Sequence, residues 1–342
     1  MKPSHQITAD AVTISPQNQR RIRGIIDYLE KSVEPVGLHE LAMSQHISNG
    51  TALRLCRILE RATIIEQCRR TGRRDGMIPL DTIIQGDCLE EMKKLPDGCI
   101  DLTVTSPPYD NLRKYNGYVF DFEGIAKELF RITKSGGVVV WVVGDATIDG
   151  SETGTSFRQA LYFKEIGFKL HDTMVWEKPG FTATGALVTR YAQVFEYMFI
   201  FSKDKIETFN PIKDRTTRGA RKLNGTIRQS DGTTRAMSNQ GKIYGDGPAQ
   251  RFNVWRINSE VSNNNRFHPG QFPEDLARDH ILSWSNPGDL ILDPMCGSGT
   301  TCKMAKYHRR HFIGIDISGE YCEIARKRIA AVPARLDRWA EA

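Results

Sequence analysis

Two clusters in this chain carry residue types suited to chemistry. Thr105-Ser106-Pro107-Pro108-Tyr109 offers a hydroxyl, two prolines that stiffen the turn, and an aromatic face. Such a set suits gripping a planar ring by its amino edge, with oxygen acceptors for N–H groups and a face for stacking. Asp293-Pro294-Met295-Cys296-Gly297-Ser298-Gly299-Thr300 joins a carboxylate to glycines that let backbone approach a ligand closely. Each cluster follows an apolar, β-prone stretch, at 100–104 and at 290–292. Each is therefore expected where a buried parallel strand ends, the place where open α/β sheets bind ligands.

The elements that must position them follow from hydrophobic periodicity. Strands are expected at 82–85, 100–104, 138–143, 173–176, 197–201, 290–292 and 312–315. Helices are expected at 122–133, 156–166, 274–284, 300–307 and 319–331, the first of them closed by Ser135-Gly136-Gly137. The continuous apolar run 138–143 reads as a central strand buried on both faces. Asp316 ends the strand after the glycine run, about twenty residues on, a spacing suited to ribose hydroxyls; a helix N-cap is its structural alternative. Asp87 closes the first strand in Gln85-Gly86-Asp87-Cys88, with a turn-stabilising role as its alternative. The pattern predicts an α/β fold.

Two regions stand apart. In residues 1–76, Ile22, Ile25, Ile26 and Leu29 recur at helical spacing, and helices at 38–45 and 50–61 flank a short break. With β-prone Thr63-Ile64-Ile65 behind them, they resemble a winged helix-turn-helix; a small helical packing module is the alternative. Residues 203–262 lose apolar periodicity and are rich in Gly, Thr, Asn, Arg and Lys, so they are expected to lie outside the sheet.

Composition sets wide bounds. A chain of 342 residues, 39% hydrophobic, can bury a full core and accommodates one large domain with a smaller one. A net charge of +6 permits a polyanionic partner without requiring one. Seven cysteines with no CxxC pair argue against a disulfide framework or a structural metal and fit a reducing cytoplasm. No stretch reaches membrane-spanning length.

Taken together, the two clusters resemble the DNA amino-methyltransferases, which methylate cytosine N4 or adenine N6 with S-adenosylmethionine. Ser106-Pro107-Pro108-Tyr109 matches that family's [DNS]PP[YFW] pattern, and its place ahead of the glycine run is that of the beta group. His268-Pro269-Gly270-Gln271-Phe272-Pro273 resembles the family's HPxxFP segment. Trp176-Glu177-Lys178-Pro179 and the stretch from Arg190 to Lys203 resemble its later segments, which shape the base pocket; Lys178 and Arg190 could equally hold phosphate. The likeness covers roughly residues 82–330.

The resemblance implies a Rossmann-like class I methyltransferase sheet, mostly parallel with one antiparallel strand, over residues 77–342. It implies catalysis at Ser106, Pro107, Pro108 and Tyr109. It implies S-adenosylmethionine held by Asp87, His268, Phe272, Asp293, Cys296, Gly297, Ser298, Gly299, Thr300 and Asp316, with no metal. Ser106 Oγ and the Pro107 carbonyl would accept the amino protons of a flipped base, and Tyr109 would stack on it. The basic segment 203–262 takes the place of the target-recognition region. Serine before Pro-Pro is more typical of cytosine-N4 members, so cytosine N4 is favoured over adenine N6, and both over methylation of RNA or protein. Double-stranded DNA is the implied partner. A second copy of the chain and a restriction nuclease encoded elsewhere are further expected partners.

Overall fold

The computed structural model describes residues 78–108, 120–180, 189–217, 219, 221–222, 224–238, 240–244, 247–258 and 272–332. The winged-helix-like unit expected over 1–76, Tyr109 and His268 lie outside the described residues, as do parts of 203–262. The chain divides at Ile78/Pro79 into two units, and the second carries every element below.

Eight strands form one sheet: β1 (Thr82–Gln85), β2 (Ile100–Thr105), β3 (Thr133–Val143), β4 (Lys169–Glu177), β5 (Phe195–Ser202), β6 (Val254–Arg256), β7 (Leu290–Asp293) and β8 (His311–Asp316). Their order is β1-β8-β7-β2-β3-β5-β4-β6. Only β5 runs antiparallel to its neighbours, β3 and β4; every other pairing is parallel. The expected mostly parallel sheet with one reversed strand is the sheet that forms. Among the described residues six helices cover it: α1 (Cys88–Lys93), α2 (Phe122–Ile132), α3 (Thr155–Glu165), α4 (Glu274–Trp284), α5 (Thr300–Tyr307) and α6 (Gly319–Ala330).

The central strand shows why the layers form. All of 138–143 is buried, and alternate side chains face opposite layers. Val138, Val140 and Val142 share a core with Leu276 and Ile281 of α4. On the other face the Trp141 ring lies 5.1 Å from Phe163 of α3 and 5.9 Å from Phe122 of α2. Its indole N–H donates to Gln159 Oε1 at 2.8 Å, so this buried polar group is satisfied. Helix α2 buries Ile125, Ala126, Leu129 and Ile132 at three- and four-residue spacing, and Asp121 caps its start by accepting from Gly124 N at 2.9 Å.

Two expectations need correction. Ser135-Gly136-Gly137 does not close α2; the helix stops at Ile132, and these residues already belong to β3. They form an irregularity in its pairing with β2, where register slips between Ile100 and Leu102. Gly136 takes φ +78 there and donates its N–H to the Lys203 carbonyl at 2.6 Å. Nor does 203–262 lie wholly outside the sheet, because its last part enters as edge strand β6, pairing Trp255 with Trp176. The preceding part is a hairpin. Lys213 pairs with Gln250, Lys222 with Ile243 and Ile227 with Arg235, in nested antiparallel register. Its tip turns at Ser230-Asp231-Gly232, where Asp231 Oδ1 accepts from Thr233 N and Thr233 Oγ1.

Candidate active site

Four parallel strands bring their C-terminal ends together: β1, β8, β7 and β2. After β7 the chain crosses to β8 on one side, and after β2 it crosses to β3 on the other. The gap between β7 and β2 is thus the topological switch point, where loops part and leave a crevice. The glycine run leaves β7 at this gap and Ser106-Pro107-Pro108 leaves β2 beside it.

The glycine run is tied down by its neighbours. Cys296 N donates to the Ile315 carbonyl at 2.8 Å, and Gly297 N to Asp316 Oδ2 at 2.8 Å. Asp316 Oδ1 accepts from Ser318 N at 2.8 Å, while Ser318 itself is the N-cap of α6. Burial pushes the Asp316 carboxyl above the usual carboxylate range, against the pull of those two amides. Gly299 sits at φ +76, and a Cβ there would stand 2.7 Å from Ala325 Cβ of α6. Glycine is therefore required for both backbone and packing. Arg328 of α6 reaches the same loop: it donates to the Ser298 carbonyl, Ser298 Oγ and Thr300 Oγ1, and pairs with Glu274 at 2.8 Å.

Asp293 lies deepest. It is 2% exposed, and its Oδ1 accepts from Thr105 Oγ1 at 2.8 Å and from Met295 N at 3.2 Å. Burial raises its carboxyl to about 6, with the Thr105 and Thr301 hydroxyls and the Met295 amide pulling the other way. Phe272 and Cys296 are buried in the core that backs the loop. Asp87 is exposed at the end of β1, where its Oδ1 caps α1 by accepting from Leu89 N and Glu90 N. Gly86 N donates to the Asp316 carbonyl at 3.0 Å, which brings Asp87 and Asp316 to the same edge.

On the other side of the crevice, Ser106 and Pro108 are partly exposed and Pro107 is buried. Past β3, Asp145 accepts from Ser156 N at 2.9 Å and from Thr153 Oγ1 at 3.3 Å. Tyr197 of β5 stands 5.5 Å from Phe157 and 5.4 Å from Phe195, and burial and then the Asp145 carboxylate raise its phenol. Lys178 pairs with Glu196 and lies 4.8 Å from the Trp176 ring centroid. Arg190 donates to the Gly150 carbonyl and pairs with Glu152 at 3.5 Å. Asp145 and Arg328 were not found by sequence reasoning. Asp145 ends Val142-Val143-Gly144-Asp145, a strand-end signal like that of Asp87; Arg328 looks like any surface charge of an amphipathic helix.

The site therefore joins most of the residues singled out above on one sheet edge. The donor set fits S-adenosylmethionine: a partly exposed carboxylate at the end of β8 suits a ribose diol, glycine backbone permits close approach, and Asp87, Asp293 and Asp316 favour a cationic ligand. Fold and site together define a class I methyltransferase.

Comparison with known proteins carries this further. Residues 100–327 match the DNA methylase family of N6 and N4 enzymes. The orphan methyltransferase M.BamHII of Bacillus amyloliquefaciens is 54% identical over 245 residues, covering 69% of this chain and 91% of that one. The DNA adenine methyltransferase YhdJ of Escherichia coli K12 is 29% identical over 260 residues, covering 72% and 82%. The cytosine-N4-specific PvuII DNA methyltransferase shares the fold, with a TM-score of 0.54 at 19% identity, covering 77% of this chain and 90% of that one. An M1.HpyAVI complex with S-adenosylmethionine gives 0.51 at 22% identity, covering 72% and 98%. The chain belongs to the N6/N4 DNA methylase family, and it is an S-adenosylmethionine-dependent DNA amino-methyltransferase. Among the described residues no helix is long and apolar enough to cross a membrane.

Proposed function

We propose that this enzyme methylates cytosine N4 at a specific site in duplex DNA, acting on a base turned out of the helix. The observation that carries the choice of base is Ser106, which stands ahead of Pro107-Pro108 at the crevice where adenine-specific relatives of this group more often carry aspartate. An exocyclic amino nitrogen is a poor nucleophile because its lone pair is delocalised into the ring. Ser106 Oγ and the Pro107 carbonyl accept hydrogen bonds from its two N–H groups and draw the nitrogen toward tetrahedral geometry. Tyr109 stacks on the ring. Bound S-adenosylmethionine supplies an activated methyl group, so the protein's work is positioning and electrostatics.

In this reading Asp316 holds the ribose hydroxyls, Asp87 the adenine amino group, and His268 and Phe272 border the methionine end. Gly297, Gly299 and Thr300 form the close backbone wall. Asp293, Cys296 and Ser298 support that wall from behind, since Asp293 and Ser298 are engaged by protein groups. Adenine N6 is the second reading, favoured by the likeness to the adenine methyltransferase YhdJ. Mass spectrometry of nucleosides from duplex DNA treated with enzyme decides between them: N4-methylcytosine supports the first, N6-methyladenine the second.

The hairpin within 203–262 is the target-reading element of this proposal. Between Lys213 and Gln250 the sequence holds eight basic and three acidic residues, and no described side chain there is buried. A two-stranded β-ribbon fits the major groove, where base edges are distinguishable. In this proposal residues 1–76 add DNA affinity or contacts between copies. The enzyme works in the cytoplasm, alone or with a separately encoded nuclease. Deleting residues 1–75 weakens DNA binding or dimerisation and leaves the methylated sequence unchanged; a changed sequence would move target reading to that domain.

A further inference from the structure

Sheet pairing between β7 and β2 stops short of the site. The last paired residues are Leu292 and Thr103, so the two strand ends that carry the glycine run and the Ser106 loop have no backbone ladder between them. Side chains take over there. Thr105 Oγ1 donates to Asp293 Oδ1 at 2.8 Å across 188 residues of sequence. Thr301, in the first turn of α5, donates to the Val104 carbonyl at 3.1 Å, and its hydroxyl lies beside the Asp293 carboxylate. Thr105 and Thr301 are fully buried and Asp293 is 2% exposed. These bonds lie at the two strand ends, one residue before Ser106 and two before Met295.

We propose that Thr105, Asp293 and Thr301 act as a clasp that sets the Ser106–Pro107 acceptors in register with the glycine loop, making them positioning residues for methyl transfer. This rests on the reading of Ser106 and Pro107 as the acceptors. Nothing in the clasp needs to touch either substrate. Its effect belongs to the catalytic step, because a loop displaced by a fraction of an ångström still binds ligand but misplaces the reacting nitrogen. The carboxylate is the hub, since it takes the Thr105 hydroxyl and the Met295 amide on one oxygen. The titratable groups that face it are Asp316 of β8 and the buried thiols of Cys296 and Cys302. Removing the Thr105 hydroxyl removes one of the bonds that favour its ionised form, so its proton affinity rises.

The test uses the full chain with Thr105→Val, Thr105→Ser and Ser106→Ala. Thr105→Val keeps shape and loses the donor; we expect kcat to fall about tenfold, the order lost with one hydrogen bond to a charged group. S-adenosylmethionine affinity by calorimetry stays within about twofold, as expected for an interaction that matters mainly in the transition state. The acid limb of kcat moves to higher pH, and Thr105→Ser restores both rate and profile. If the valine variant does not fold, Thr105→Cys, with its weak donor, replaces it under the same expectations. An unchanged kcat in the folded variant overturns the clasp. So does a serine variant no better than valine, or a loss of rate matched by an equal loss of cofactor affinity. Ser106→Ala separates this from the underlying reading: full turnover there refutes the acceptor assignment itself, whatever Thr105 does.

Discussion

Replacing Gly299 with alanine tests whether the glycine loop is held by contact with α6. Two costs add. At φ +76 an L-residue is strained by about 1–2 kcal/mol. The new methyl would also lie 2.7 Å from Ala325 Cβ and 3.2 Å from Ala325 Cα, and overpacking of this kind costs about 1–3 kcal/mol. The sum, about 2–5 kcal/mol, corresponds to a fall in Tm of roughly 5–15 °C for a domain of this size. Gly288→Ala separates the terms, because Gly288 has φ +86 and a methyl added there would meet no atom within 4 Å; it should cost the strain alone. The contact term is isolated by Gly299→Ala combined with Ala325→Gly. That second change costs about 1 kcal/mol by itself in a helix, yet should recover about 1–3 kcal/mol in the double variant. Thermal unfolding gives Tm and calorimetry gives S-adenosylmethionine affinity for the wild type, the three single variants and the double variant. Equal losses for Gly299→Ala and Gly288→Ala, or no coupling between 299 and 325, would refute the reasoning.

Three further outcomes are expected. Asp293 has its carboxyl raised to about 6 in the folded protein, above an unfolded value near 3.9, so its stabilising contribution is complete below about pH 4 and is lost as pH rises through 6. Asp293→Asn should remove that loss, about 3 kcal/mol between those limits, which urea midpoints across the range would reveal; parallel curves for the two proteins would contradict it. Arg328→Met removes the donors to Ser298 and Thr300 and should raise Kd for S-adenosylmethionine about tenfold or more, with unaltered binding as the adverse result. Replacing residues 217–247 with a short turn should leave Tm within about 1 °C, because no described side chain there is buried, and should flatten the salt dependence of DNA binding by about 0.9 per lost phosphate contact; an unchanged slope would take the hairpin off the DNA.

Much of the catalytic sheet was readable because its strands obey simple rules. Segment 138–143 is apolar without a break, and it is the strand buried on both faces. The glycine run and Asp316 stand at strand ends because turn residues interrupt apolar runs there. The hairpin was illegible for the opposite reason. Its strands are exposed on both faces, so nothing imposes alternation of apolar and polar residues, and pairing across nested positions leaves no local mark. Strand β6 was hidden likewise: only Trp255 of its three residues is buried. Ser135-Gly136-Gly137 misled because glycine marks helix ends and strand irregularities alike. The bond from Thr105 to Asp293 spans 188 residues, a distance over which residue types alone carry no pairing signal.

The roots of the hairpin have a consequence for how such an enzyme diversifies. Its two ends, at Lys213 and Gln250, are paired neighbours, about 5 Å apart as in any β-ladder. Arg251 closes this root by pairing with Asp214 and fastens it to α4 through Asp279 at 2.6 Å. A segment that departs and returns at one point places no geometric demand on the rest of the molecule. Whatever it binds, it can be lengthened, shortened or exchanged while crevice, clasp and cofactor loop stay as they are. Descendants of one such gene can thus share their chemistry and differ in what they address, and a grafted hairpin would be inherited as a single cassette.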